Sequence, residues 1–398
     1  MMPTLGDYIR IKHGYAFKGD YITTEDNGIV LVTPGNFEIG GGFKERKCKF
    51  FSSDYPDEYV LSAGDLIVTM TDLSKQGDTL GYSARVPRSG RKYLHNQRIG
   101  LVDVFNPAAD KDYIYWFMRT PRYQKTIVAT ASGSTVKHTS PSRICAVEIM
   151  LPSLGVQRKI AALLSSLESK IESNKRINDN LEQQAQSYFQ ELFVDNADPE
   201  WTTGSISDLG VVVGGSTPSK AKPEYYTESG IAWITPKDLS INKSKFISHG
   251  ENDITELGLK NSSATIMPEG TVLFSSRAPI GYIAIAAGEV TTNQGFKSVV
   301  PKPEIGTPFV YFFLKHNLPI IEGMASGSTF KEVSGSTMKN IPAVIPDADT
   351  LGRFNDFCAP IFAQQRILEE ECQSLAALRD NLLPKLMSGE IDVSDIQL

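Results

Sequence analysis

Asn96-Gln97 and Asn293-Gln294 are amide pairs that can present a donor and an acceptor side by side. That arrangement suits the paired hydrogen bonds by which proteins read base edges in the major groove of DNA. Residues of matching chemistry accompany them: Asn36, His95, Arg98, Lys137 and His138 with the first pair, and Lys237, Asp238, Arg277, Lys297 and Lys331 with the second. Thr235, Ser134-Thr135 and Ser328-Thr329 add hydroxyls of the kind that bond phosphate oxygens. Residues 81–143 supply charge, with eleven Lys or Arg against three Asp, for a net +8. Arg85, Arg88, Arg91 and Lys92 open that block and are candidates for neutralising phosphates. The chain as a whole is acidic, net −6, because residues 347–398 hold ten acids against four bases. Opposite patches imply two kinds of partner surface; an uneven solubilising surface would produce the same totals.

What must position these residues is a duplication. Val32-Thr33-Pro34-Gly35-Asn36-Phe37 aligns with Ile234-Thr235-Pro236-Lys237-Asp238-Leu239, and Gly64-Asp65-Leu66-Ile67-Val68 with Gly270-Thr271-Val272-Leu273-Phe274. Gly81-Tyr82-Ser83-Ala84 aligns with Gly281-Tyr282-Ile283-Ala284, and His95-Asn96-Gln97 with Thr292-Asn293-Gln294. Ala131–Thr135 matches Ala325–Thr329, and the stretch ending at Pro152 matches that ending at Pro346. Order is kept throughout, so each half is a domain plus a further element. Residues that recur in both halves suit scaffold or phosphate contact better than base reading.

The further element is a long helix. From Ile160 a 4-3 spacing runs through Leu164, Leu167, Ile171, Asn174, Asn178, Leu181, Ala185 and Tyr188 to Leu192, a heptad seam. Some 40 residues make a rod of about 60 Å. A second seam reads Phe354, Cys358, Ile361, Gln365, Leu368, Cys372, Leu375, Leu378 or Arg379, and Leu382, with Pro384 and Gly389 closing it. Tyr188, Phe189, Leu192 and Phe193 end the first helix, and Phe354, Phe357 and Ile361 begin the second, with more apolar surface than a two-helix seam covers. These seven are expected at a partner interface. Short β-branched runs at 28–33, 65–71, 100–105, 270–275 and 282–286 read as strands, and 113–119 and 309–316 as short helices.

The expected fold is therefore a pair of α/β (α+β) domains in pseudo-twofold tandem, separated by two long antiparallel coiled-coil helices. Its boundaries are 1–152, 153–196, 197–346 and 347–388, with a tail at 389–398. Catalytic equipment is missing: there is no phosphate loop, no dinucleotide fingerprint and no nucleophile elbow. The five histidines are scattered without metal-ligand spacing. Glu45-Arg46-Lys47 has the form of a nuclease tail, yet no Pro-Asp element precedes it at suitable distance. Four unpaired cysteines, no signal peptide and no apolar run of membrane length point to a reducing cytoplasm without a membrane partner.

Val213-Gly214-Gly215-Ser216-Thr217-Pro218-Ser219, Pro223-Glu224-Tyr225-Tyr226 and Gly230–Leu239 together resemble the opening of a target-recognition domain. The domain is that of specificity subunits of type I restriction-modification systems. Ala131–Thr135, followed by Ile149–Ile160, is similar to the end of such a domain running into its spacer helix. The first domain departs from the pattern with Gly14-Tyr15-Ala16-Phe17-Lys18, and the second helix with Thr350–Phe354. The resemblance implies a non-catalytic subunit that binds double-stranded DNA with a split target, one half read by each domain, the helices setting the spacing. It implies two adenine-methyltransferase subunits and a restriction motor as partners, and S-adenosylmethionine, ATP and Mg on those partners only. A free-standing two-domain DNA-binding protein, a specificity module of another methylation or defence system, and an enzyme with an unfamiliar site are the alternatives.

Overall fold

The computed structural model describes residues 2–74, 76–327 and 331–394. The chain divides into two compact units, 1–171 with 374–398, and 172–373. These limits cut both long helices, so each unit holds its own stretch of the two. Among the described residues no helix is long and apolar enough to cross a membrane.

In the first unit an antiparallel sheet has the order Ile9–His13, Ile99–Val104, Leu66–Thr69, Ser83–Arg85. A second sheet is built round the parallel pair Ile29–Val32 and Lys92–His95. Val30, Phe50, Ile67, Tyr93 and Ile99 share one cluster, as period-2 burial requires. The other face of the first sheet meets helices. Leu5, Ile9, Leu66, Val68 and Trp116 join Ile160 and Leu164 of the long helix Leu154–Gln190, Leu383 and Leu386 from the end of the chain's other long helix, and Val393 from the tail beyond it.

The second unit repeats this plan. Gly210–Gly214, Lys297–Pro301, Val272–Ser276 and Ile280–Ala286 follow in the same order, with Phe246–Ile247 added in parallel at the edge. Ile231–Ile234 and Thr291–Thr292 form the parallel pair. Inside this unit the long helices run antiparallel. Asn174 donates to Glu371 (2.8 Å), Gln365 donates to the Asn178 carbonyl (3.1 Å), and Tyr188 lies 6.0 Å from Phe354. The second long helix, Ala348–Ser388, is capped by Asp347, which accepts from Thr350 N and Trp201 Nε1, each at 2.9 Å. It runs through Pro384 and stops at Gly389, in left-handed geometry, so the glycine alone closes it. At the seam Arg379 is partly buried while Leu378 is 47% exposed.

The aromatic helix ends correct the expectation of a partner interface. Phe189, Phe354 and Ile361 are buried in the unit's own core with Phe309 and Phe312, and Tyr188, Leu192 and Phe193 pack against it. The short helix Thr307–His316 covers the surplus. Phe357 is the exception, 40% exposed beside Tyr188.

In each unit one carboxylate of the first long helix gathers a polar cluster. In the first, Tyr115 Oη donates to Glu168 (2.7 Å) and Arg119, one helical turn later, pairs with the same carboxylate (2.5 Å). In the second, Tyr311 Oη (3.1 Å) and Lys315 Nζ (2.6 Å) take Glu182. Buried Lys245 also pairs with Glu182, donates to Gln365 Oε1 (2.6 Å) and lies 3.9 Å over the Phe362 ring. Burial pushes the Glu182 carboxyl up, but Lys245 and Lys315 outweigh it and hold it below the ordinary glutamate value.

Glu182→Ala strands a buried ammonium, and unfolding by urea at pH 7 is expected to lose about 3–5 kcal/mol. A carboxyl depressed in the folded state contributes fully above the ordinary value of 4.5 and loses that contribution as pH falls below it. Glu182→Gln should therefore remove part of the acid limb of the stability curve.

Gly14 and Gly215 follow the strands Ile9–His13 and Gly210–Gly214, where the chain crosses the Asn-Gln turn. A Cβ there would stand 2.2 Å from the Asn96 carbonyl oxygen and 1.9 Å from that of Asn293. Gly14→Ala and Gly215→Ala should each cost about 1–3 kcal/mol. Gly19→Ala and Gly288→Ala, with open space around them, should stay within about 0.5 kcal/mol in the same urea titration.

Candidate nucleic-acid interface

Three backbone devices meet at one rim of each unit. The first is the Asn-Gln turn. Asn96 Oδ1 accepts from Arg98 N (3.0 Å) and Asn293 Oδ1 from Gly295 N (2.9 Å), the local bonding that makes Asn a turn residue. Both asparagines thus spend their acceptor on the backbone, while Gln97 and Gln294 stand exposed at the tips. Gln294 is met by the Thr217 hydroxyl.

The second device is the end of the central strand. Met70 N reaches Arg98 O (2.9 Å) and Ser276 N reaches Gly295 O (2.8 Å), which brings the turn against that strand end. The third is a serine loop. Ser132 and His138 exchange two backbone bonds (2.9 and 2.8 Å), as do Ser326 and Glu332 (3.1 and 2.9 Å). Thr139 N then bonds Met70 O (2.9 Å), and Val333 N bonds Ser276 O (3.0 Å).

The closure sets side chains face to face. Thr71 Oγ1 lies 3.2 Å from His138 Nδ1 in the first unit. In the second, Arg277 donates to Glu332 (3.3 Å) and Lys297 Nζ lies 3.6 Å from the same carboxylate. The rim of the first unit therefore gathers Gln97, Arg98, Ser134, Thr135, Lys137 and His138. That of the second gathers Arg277, Asn293, Gln294, Lys297 and Lys331. Ser328 and Thr329 lie outside the described residues. Beneath the first loop, Arg143 donates to Ser132 Oγ (3.1 Å). Before the loop, Asp72 receives bonds from Ser74 and Thr79; burial pushes its carboxyl up, and these bonds bring it below its ordinary value.

Other candidates are corrected. Asn36 is 1% exposed, bonded to Thr33 N (2.8 Å) and to the Lys44 carbonyl (3.2 Å). His95 is equally buried, its Nε2 2.8 Å from Ile99 O, and burial pushes its pKa below the ordinary value. Asp238 caps Thr235, accepting from its amide (2.7 Å) and hydroxyl (2.6 Å). These residues, like Asn96 and Asn293, spend hydrogen-bonding atoms on the loops of their own unit. Lys237, exposed, pairs with Glu251.

The four cations at the start of the basic block sit away from the rim. Arg85 pairs with Asp112 (2.8 Å) over the Tyr115 ring, at the opposite end of its strand pairing from Thr71. Arg91 pairs with Asp26, Lys92 reaches Tyr55 Oη (3.3 Å), and Arg88 is exposed. Sequence reasoning counted Arg143 only as part of the basic block and passed over Thr71 and Glu332. The duplication already held the signal for both, since Thr71 aligns with Arg277 and His138 with Glu332 once the two registers are extended.

Comparison with known proteins bears on the family and the fold. The family described as type I restriction modification DNA specificity domain matches residues 1–183 and 199–369, once in each half. The MjaIX specificity subunit of Methanocaldococcus jannaschii is 39% identical over 191 residues, 46% of this chain and 44% of that one. The HindI specificity subunit of Haemophilus influenzae is 23% identical over 458 aligned residues, 89% of this chain and 99% of that one. In fold, the chain is similar to the crystal structure of the type-I restriction-modification S subunit from M. genitalium. The TM-score is 0.61 at 18% identity, covering 97% of this chain and 95% of that one. A family match over both repeats makes this chain a member of the type I restriction-modification DNA specificity family: a specificity subunit rather than a catalytic one.

Proposed function

We propose that each unit reads one half of a split duplex sequence through its rim. Adenine-methyltransferase subunits carrying S-adenosylmethionine, and a restriction motor using ATP and Mg, then act where this chain places them. The observation that carries the reading is the repetition of one backbone rim with different exposed side chains. A protein that met only phosphates would have no use for two chemically distinct rims, because phosphate contact holds register without reading sequence. Amides and guanidinium groups on a fixed turn suit the donor and acceptor pattern of the major groove, and the neighbouring lysines and hydroxyls suit the backbone that flanks it.

The test is methylation of a random-sequence duplex library by this chain with its methyltransferase. Replacing residues 201–340 by another recognition domain should change one half-site and leave the other as it was. Neutralising Arg85, Arg88, Arg91 and Lys92 together should leave both half-sites unaltered. A replacement that altered both halves, or a charge variant with a new sequence preference, would overturn the two-reader reading.

A further inference from the structure

We infer that the contact between the strand end and the serine loop is where each unit's base preference is written. Arg277, oriented by Glu332, reads one base pair of the second half-site, and His138, oriented by Thr71, reads the corresponding base pair of the first. This rests on the reading of each rim as a DNA reader.

The argument starts from what does not change. The Asn-Gln turn, the bonds from Met70 to Arg98 and from Ser276 to Gly295, and the Ser132–His138 and Ser326–Glu332 bridges recur bond for bond in the two units. A scaffold shared by two readers carries no difference between their targets. At the one place where these devices converge, the side chains change class: Thr71 with His138, a neutral hydroxyl and an imidazole, against Arg277 with Glu332, an ion pair.

Stability does not explain the ion pair. Both side chains are 36% exposed, and such surface pairs contribute little. Geometry does explain it. A guanidinium that binds the two acceptors of guanine must hold its plane, and a carboxylate on one terminal nitrogen fixes that plane while other donors face outward. Lys297, on the far side of Glu332 at 3.6 Å, leaves the group of three with a net positive charge, so the carboxylate does not repel the duplex. In the first unit the Thr71 contact takes Nδ1 and leaves Nε2 as the nitrogen that can meet a base.

The two rims also differ in the loop that follows. Between the aligned glycine pairs Gly64/Gly270 and Gly81/Gly281 the first unit has more chain, folded back by Asp72 onto Ser74 and Thr79. The loop length and the bridge pair differ together, as expected where target preference is set.

Arg277→Lys and Glu332→Gln keep charge or shape at a surface position. In the library experiment Arg277→Lys should relax discrimination at one base pair of the second half-site by about 5- to 150-fold. The first half-site and the salt dependence should be as in the parent chain. Glu332→Gln should relax the same base pair less, and the double variant should be no worse than Arg277→Lys alone, the signature of a positioning residue. Uniform weakening over all sequences, as for a phosphate contact, an unchanged preference, or a change in the first half-site would each overturn the inference. A parent chain with no split preference at all would overturn the reading beneath it, and this inference with it.

Discussion

A carboxylate on the first long helix, taken by a tyrosine hydroxyl on a short helix and by a cation four residues later, holds each unit in place. Glu168 receives Tyr115 and Arg119, and Glu182 receives Tyr311 and Lys315. Apolar packing alone would let a helix slide by a turn at modest expense, since one ridge of leucines resembles the next. A buried charge tolerates no such slip, because leaving it unpaired is far costlier than the pair is stabilising. The short helix thus has one register on the long one, and the sheet that packs on it inherits that register. The rim, carried at the end of the sheet's central strand, is placed by a contact made on the far side of the core.

Much of this was legible in the residues. The duplication, the two helices and the strands at 28–33, 65–71 and 270–275 follow from periodicity and self-alignment, which are local or collinear properties. What was not legible is a matter of who meets whom. Asn36 and His95 have the chemistry of readers, yet their neighbours in space, Lys44 O and Ile99 O, turn them inward. Phe189 and Phe354 look surplus on a two-helix seam until the helix Thr307–His316 arrives to cover them. Heptad arithmetic counts only the helices and cannot include a third element.

The scaffold and the rim obey different constraints. The turn at Asn96 and Asn293, the caps at Thr33 and Thr235 and the glycine crossings at Gly14 and Gly215 tolerate little change, because backbone atoms lie on every side. Their recurrence in both halves follows from that crowding. The exposed side chains of the rim have no such neighbours, so they can differ between halves without disturbing what supports them. A sequence comparison of the two halves therefore separates what folds from what reads.

The core of the first unit has a consequence in time. Leu5, Ile9 and Ile160 share their cluster with Leu383, Leu386 and Val393. On the ribosome, synthesis runs from the amino end and domains commonly fold as they emerge. Here Trp116, Ile160 and Leu164 can cover much of the earliest sheet's inner face early, but its core stays incomplete until the whole intervening unit has been made and the end of the chain appears. The unit written first is the one completed last.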